Sequence, residues 1–172
     1  MNLQSDDFEL FGLTRRFAQD RALIDARWKE LQREAHPDKF SAQGAAAQRV
    51  AMQWSVRINE AYQRLKVPLM RAAYLCELSG APLNAESNTA MPGSFLMQQM
   101  QWREELDDAS GAEVLEKIRL QVKLAEREML LKLEQLIDQE ADFGAAVAQV
   151  RALMFIERFA RDVDTRLDTI ES

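Results

Sequence analysis

The chain has 172 residues, of which 47% are hydrophobic and 29% are charged, and its formal net charge is −6. This composition is typical of a globular helical protein, and no apolar run approaches the roughly 18 residues that a membrane-spanning helix needs. The acidic N-terminus lacks the apolar core of a secretory signal, and Cys76 is the single cysteine, so we expect a cytoplasmic protein without an internal disulfide.

Charge is divided unevenly along the chain. Residues 1–76 hold 12 basic and 9 acidic side chains, a net of +3, whereas residues 77–172 hold 10 and 19, a net of −9. Opposite signs in the two halves favour two surfaces with different partners. The first half is too weakly basic to indicate a nucleic-acid-binding protein.

The N-terminal part of the sequence predicts four helices. The second of them, Arg21–Glu34, begins after the capping residue Asp20 and ends near Ala35, because Pro37 disfavours helical backbone in the residue before it. Its apolar stripe can meet a matching face of the third helix, Ala45–Leu65, to form a helical hairpin. The other two are short: one contains Phe8, Phe11 and Leu13 and ends near Gly12, and one runs from Leu69 to Leu78.

Turn-forming residues are concentrated in residues 79–93, which we interpret as a linker. Three further helices are predicted beyond it, and their short connections favour an antiparallel three-helix bundle over residues 94–172, after a first domain over residues 1–78. The middle helix carries an apolar seam with bundle spacing, formed by Leu115, Ile118, Val122, Ala125, Met129, Leu133 and Leu136. The predicted helix starts are a Ser94 cap, a capping box from Ser110 to Glu113, and an Asp142 cap.

The only histidine of the chain lies in the tripeptide His36-Pro37-Asp38, between the two long amphipathic helices. One interpretation is a turn that merely reverses the chain. A turn alone needs neither an imidazole nor a proline, so we favour a second interpretation, in which a rigid loop offers the imidazole and the carboxylate to a partner protein.

Several separated segments resemble the J-domain of DnaJ-type co-chaperones: His36–Phe40, the preceding Trp28–Glu34, and the later Ile58–Leu65 and Pro68–Leu75. The resemblance covers about residues 6–76. It implies docking on the ATP state of a DnaK-type chaperone and stimulation of that chaperone's ATP hydrolysis. The chaperone-docking residues that it implies are His36, Pro37, Asp38, Lys39, Arg27, Lys29 and Arg33. On charge alone, the basic residues of the second helix would be interpreted as a solvated face.

The segment after the linker is unusually rich in large apolar side chains. Phe95, Leu96, Met97, Met100, Trp102 and Leu106 cover more than one face of a helix. Some of them must therefore be exposed, and exposed methionines are typical of adaptable protein interfaces. The alternative is that the set simply forms bundle core.

This segment also resembles the HscB family, the J-domain co-chaperones of bacterial iron–sulfur cluster assembly, and the order of J-domain and bundle matches that family over nearly the whole chain. The chain lacks the Gly/Phe-rich and CxxCxGxG segments of general DnaJ proteins. The scaffold-binding residues that the resemblance implies are Leu96, Met97, Met100, Gln101, Glu104, Asp108 and Phe155. Gln101 stands where the family often has a carboxylate.

The resemblance implies an all-α protein in which a J-domain hairpin and a three-helix bundle form an L shape. It implies delivery of the iron–sulfur scaffold IscU to the chaperone HscA, with stimulation of the HscA ATPase. It implies a non-enzymatic monomer that could self-associate weakly, with no cofactor, metal, nucleic acid or membrane as a partner. Two alternatives stay open: a J-protein for a different client, and a small metal-dependent hydrolase, against which the lone histidine argues.

Overall fold

A computed structural model describes residues 2–84 and 90–171, and within these residues the protein is helical and contains no β-strand. The all-α fold class predicted from the sequence is therefore confirmed. The helices are α1 (Asp7–Leu10), α2 (Arg21–Ala35), α3 (Ala45–Lys66), α4 (Pro68–Leu78), α5 (Gly93–Asp108), α6 (Ala112–Glu134) and α7 (Phe143–Glu171), with a 3-10 helix (Pro37–Gln43) after α2 and a π-helical segment (Gln135–Gln139) after α6. Residues 85–89 of the predicted linker lie outside the described residues.

The chain divides into two compact units, Met1–Leu75 and Cys76–Ser172, and the division falls inside α4. The first unit is built on the predicted hairpin of α2 and α3. The α2 stripe is buried except at Trp28, whose ring is partly exposed and stacks on Tyr62 with centroids 4.8 Å apart. The helix faces that meet in this hairpin carry Ile24, Leu31, Ala35, Ala51, Ile58, Ala61 and Leu65, all buried.

The N-terminal end of the first unit is held by a buried carboxylate that sequence analysis did not single out. Asp7 is fully buried and accepts hydrogen bonds from Arg57 at 2.7 Å and from Arg64 at 2.6 and 3.0 Å. The backbone N–H of Asp7 also donates to the Tyr74 hydroxyl at 3.0 Å. These contacts tie α1 to α3 and α4, so the short helix is stabilised by tertiary contacts rather than by its length.

The second unit contains the predicted three-helix bundle of α5, α6 and α7. Its core includes Phe95 and Trp102 from α5, Leu115 and Val122 from α6, and Phe159 from α7. Trp102 and Phe159 stack with centroids 5.8 Å apart. The predicted seam, which runs along α6 and ends at Leu136 in the π-helical segment, is confirmed: its members are buried or, at Ala125 and Met129, pack partly buried against the core.

Two of the predicted helix starts are wrong and two are confirmed. Asp20 accepts a hydrogen bond from the Ala22 N–H, and Asp142 accepts one from the Ala145 N–H. Ser94 is not a cap, because α5 begins one residue earlier, at Gly93, after Pro92. The Ser110 capping box does not form either: α6 begins after Gly111, which places Ser110 outside the helix and Glu113 only at its second position.

Candidate functional site

The tripeptide His36-Pro37-Asp38 forms the start of the 3-10 helix at the end of the α2–α3 hairpin. His36 follows α2 as its C-cap and is extended, with φ −63° and ψ 127°, as expected for a residue before proline. The chain continues as a 3-10 helix through Gln43, because Pro37 occupies its first position with a preset φ and the Lys39 N–H donates to the His36 carbonyl at 3.0 Å.

Both ionisable side chains of the tripeptide face solvent. The His36 side chain is 57% exposed and the Asp38 side chain 92% exposed. His36 Nδ1 accepts a hydrogen bond from the Asp38 N–H at 3.2 Å, which orients the ring and leaves Nε2 free to donate to a partner. The tripeptide is therefore a rigid polar tip with accessible functional groups, which is the condition that the docking interpretation requires.

The hairpin below this tip is fastened by hydrogen bonds between α2 and α3. Gln32 accepts a hydrogen bond from the Ser55 hydroxyl at 3.0 Å and donates one to the Asn59 amide oxygen at 2.7 Å. Trp28 Nε1 donates to the same oxygen at 2.9 Å. These contacts lock the two helices in one register, so the tip at their end is presented in one orientation.

A further contact between the hairpin helices shifts the pKa values of two side chains, Asp25 and Tyr62. Tyr62 donates a hydrogen bond to Asp25 at 2.6 Å, and Arg21 donates to the same carboxylate at 2.9 Å. These two hydrogen bonds, from Tyr62 first and Arg21 second, lower the pKa of Asp25. The same contact with Asp25 raises the pKa of Tyr62.

The predicted basic residues lie on or next to this hairpin. Lys29, Arg33 and Lys39 are exposed and make no ion pair with other described residues, whereas Arg27 is partly buried and contacts Glu30 at 3.3 Å. These three cations outnumber Glu34 and Asp38, the exposed carboxylates next to Arg33 and Lys39 in the chain, which leaves a weakly positive surface that suits an acidic partner.

The second candidate surface is the outer face of α5, defined here by Leu96, Met97, Met100, Gln101, Glu104 and Asp108. All six residues are exposed, while Phe95, Trp102 and Leu106 of the same helix point into the bundle core. The expectation that part of this apolar set is exposed is thus confirmed. Three large apolar side chains on one helix face form a patch of the kind that marks protein–protein contacts.

Phe155 lies on α7 and is partly buried against the bundle core. It packs edge-on against Phe95 at 5.9 Å. Arg103 on α5 covers its ring, with the guanidinium 5.5 Å from the centroid, and is itself held by Asp162 at 3.0 Å. Arg103 is a residue that the sequence does not single out, because nothing in the spacing indicates that two helices bring it over an aromatic ring.

The polar end of the outer face of α5 borders a groove of about 530 Å³ between α5 and α6. Gln101, Glu104 and Asp108 line its α5 side, and Lys117 and Gln121 line its α6 side. The Gln101 amide donates to Glu105 at 3.0 Å, so the residue that replaces an expected carboxylate is held within its own helix. The groove keeps a negative α5 side.

Two kinds of feature are absent from the described part of the chain. None of its helices is long and apolar enough to cross a membrane. It also contains no group of three or more metal-ligating side chains.

Comparison with known proteins identifies the family. A family model described as the HSCB C-terminal oligomerisation domain matches residues 91–164. A co-chaperone protein HscB homolog from Burkholderia mallei is 45% identical over 174 residues, which cover 99% of each chain. The chain belongs to the HscB co-chaperone family. Another HscB homolog, from Burkholderia multivorans, is 45% identical over all of this chain and 99% of its own.

Solved structures of HscB proteins have the same fold. The chaperone HscB from Vibrio cholerae superposes with a TM-score of 0.83 at 34% identity, covering 96% of this chain and 99% of its own. The human co-chaperone protein HscB superposes with a TM-score of 0.88 at 26% identity, covering 96% and 84%. The family predicted from the two motifs is thereby confirmed, and the roles of individual surface residues stay predictions.

Proposed function

We propose that this HscB-family protein brings an iron–sulfur scaffold of the IscU type to the DnaK-type chaperone HscA and stimulates HscA to hydrolyse ATP. One observation carries the proposal: the chain holds two exposed and chemically different surfaces, the His36-Pro37-Asp38 tip in one unit and the outer face of α5 in the other.

The first surface acts on the chaperone. Lys29, Arg33 and Lys39 raise the rate of encounter with an acidic surface, and the rigid tip then binds one conformation of the chaperone better than the other. A ligand shifts such an equilibrium only through this difference in affinity. Because Pro37 and the hydrogen bond from the Asp38 N–H to His36 Nδ1 already order the tip, little conformational entropy is lost on docking.

The second surface holds the client. Leu96, Met97 and Met100 offer flexible apolar contact area, and Phe155, which packs against Phe95 of the same helix, adds an aromatic group. Glu104 and Asp108 at the end of the face favour a client segment that carries basic side chains.

Coupling follows from having both surfaces in one chain. With residues 1–78 acting as the J-domain, 79–93 as the linker and 94–172 as the client-binding bundle, docking of one surface raises the effective concentration of the partner bound to the other. The protein performs no chemistry in this scheme, because the ATP is hydrolysed by its partner.

The decisive experiment measures steady-state ATP hydrolysis by HscA with and without IscU and this protein. His36→Gln should reduce stimulation more than tenfold and leave IscU affinity unchanged, because the tip and the α5 face belong to different units. Gln63→Ala, an exposed change elsewhere on α3, is the matched control and should behave as wild type. If His36→Gln stimulates HscA as strongly as the wild type, the docking role is refuted. If the wild-type protein stimulates HscA but does not bind IscU, the assignment of IscU as its client is refuted.

A further inference from the structure

A buried arginine on α7 reaches the backbone that precedes the client-binding helix. Arg151 is only 8% exposed. Its Nε and Nη2 donate to the Leu83 carbonyl at 3.3 and 2.9 Å, and its Nη1 donates to the Ala90 carbonyl at 3.2 Å. One guanidinium therefore binds two backbone positions that are seven residues apart in the sequence.

This arrangement is costly and specific. Burial removes water from the guanidinium, and hydrogen bonds must offset this loss of hydration. Here the hydrogen bonds go to backbone carbonyls. The planar fork of arginine offers donors in fixed directions and can bind both carbonyls at once. A lysine ammonium at the same position is a single point charge and cannot reproduce that geometry.

The bound backbone leads directly into α5. Ala90 is followed by Met91, which packs against the bundle core, and by Pro92, whose carbonyl accepts from the Phe95 and Leu96 N–H groups at 3.0 and 3.3 Å. No side chain caps this helix. The first turn of α5 consequently depends on how residues 90–92 are held, and that turn carries Leu96 and is followed directly by Met97.

The same arginine lies one helical turn before Phe155. Residues four apart on a helix are surface neighbours, so Arg151 and Phe155 occupy one stripe of α7. Phe155 in turn contacts Phe95 in the first turn of α5 at 5.9 Å. Two contacts from adjacent turns of α7 thus define where the start of α5 lies.

We propose that Arg151 is a positioning residue for client binding: by holding the Ala90 carbonyl it sets the first turn of α5, and with it Leu96 and Met97, against Phe155. This inference rests on the proposed function, in which the outer face of α5 binds an IscU-type scaffold. Arg151 itself is buried and makes no contact with the client in this scheme.

The test compares Arg151→Ala and Arg151→Lys with Arg158→Ala, an exposed arginine two turns further along α7. IscU affinity is measured by calorimetry on the full chain. Arg151→Ala should raise Kd about tenfold, a loss equal to about one charge-assisted hydrogen bond, and Arg151→Lys should recover only part of it. Arg158→Ala should leave Kd within twofold of wild type.

Amide hydrogen exchange separates positioning from general stability. In Arg151→Ala and Arg151→Lys, exchange should accelerate at residues 95–98 and stay unchanged in the middle of α6 and α7. HscA stimulation without IscU should not change. An unchanged Kd, or exchange that accelerates equally through α5, α6 and α7, would overturn the inference. If wild-type protein does not bind IscU, the proposed function fails, and the exchange pattern alone still supports or overturns the ordering of α5 by Arg151.

Discussion

Removal of both methionines of α5 should weaken client binding without affecting the fold. Met97 is 76% exposed and Met100 is 71% exposed, and neither belongs to the bundle core. The double variant Met97→Ala/Met100→Ala therefore removes apolar surface that only a partner could bury.

The size of the effect follows from these exposures. Full burial of a methionine side chain contributes about 1.5–3 kcal/mol, so covering about three quarters of each contributes roughly 1–2 kcal/mol before the loss of side-chain freedom. The two side chains together contribute about 2–4 kcal/mol, and deducting about 0.5 kcal/mol for ordering each of them leaves about 1–3 kcal/mol. The expected rise in Kd for IscU is thus roughly 5- to 150-fold.

Calorimetric titration of IscU into the full chain measures this change, and thermal unfolding monitors the fold. Leu120→Ala is a matched control, because Leu120 is 60% exposed on α6 and lies outside the outer face of α5. Both proteins should unfold within about 0.5 kcal/mol of wild type, as surface substitutions do. A double variant that binds IscU as tightly as Leu120→Ala would show that the client does not use this face.

Two further predictions concern buried groups. Asp7→Asn should lower the free energy of unfolding in urea by about 2–3 kcal/mol, because it leaves the partly exposed Arg57 and Arg64 without their carboxylate, and a loss below 1 kcal/mol would contradict this. Burial raises the pKa of the Cys76 thiol from 9.0 to about 11, so iodoacetamide at pH 8.5 should alkylate the folded protein roughly 100-fold more slowly than the urea-unfolded protein. Because the pKa of the thiol is higher in the folded protein, the contribution of the protonated thiol to stability is complete below about pH 9 and is lost as the pH rises toward 11. Equal alkylation rates for the folded and unfolded protein would contradict the burial.

The exposed tip His36-Pro37-Asp38 was predictable because its determinants are local. The stripe of Ile24, Leu31 and Ala35 sets which side of α2 is buried, and Pro37 ends that helix wherever the chain goes next. The exposure of His36 and Asp38 then follows, since a chain reversal between two packed helices lies at the surface. The α6 seam was predictable for the same reason, as hydrophobic period alone identifies a buried face.

The division of the α5 apolar set required tertiary structure. The sequence shows too many large side chains for one helix face, but periodicity does not say whether Met97 or Trp102 turns inward. The stacking of Trp102 on Phe159 of α7 decides it and leaves Met97 and Met100 outside. Which face is buried depends on a helix 57 residues further along the chain.

By itself the sequence determined the family, the helical class, the hairpin and its tip, because these depend on local periodicity, proline geometry and short motifs. Only the tertiary structure decided which polar groups meet: Asp7 with Arg57, 50 residues away, and Arg151 with the Leu83 carbonyl, 68 residues away. A hydrophobic pattern records which side of a helix avoids water. It carries no information on which distant donor a buried carboxylate or carbonyl will bind, because that pairing is set by how the helices pack.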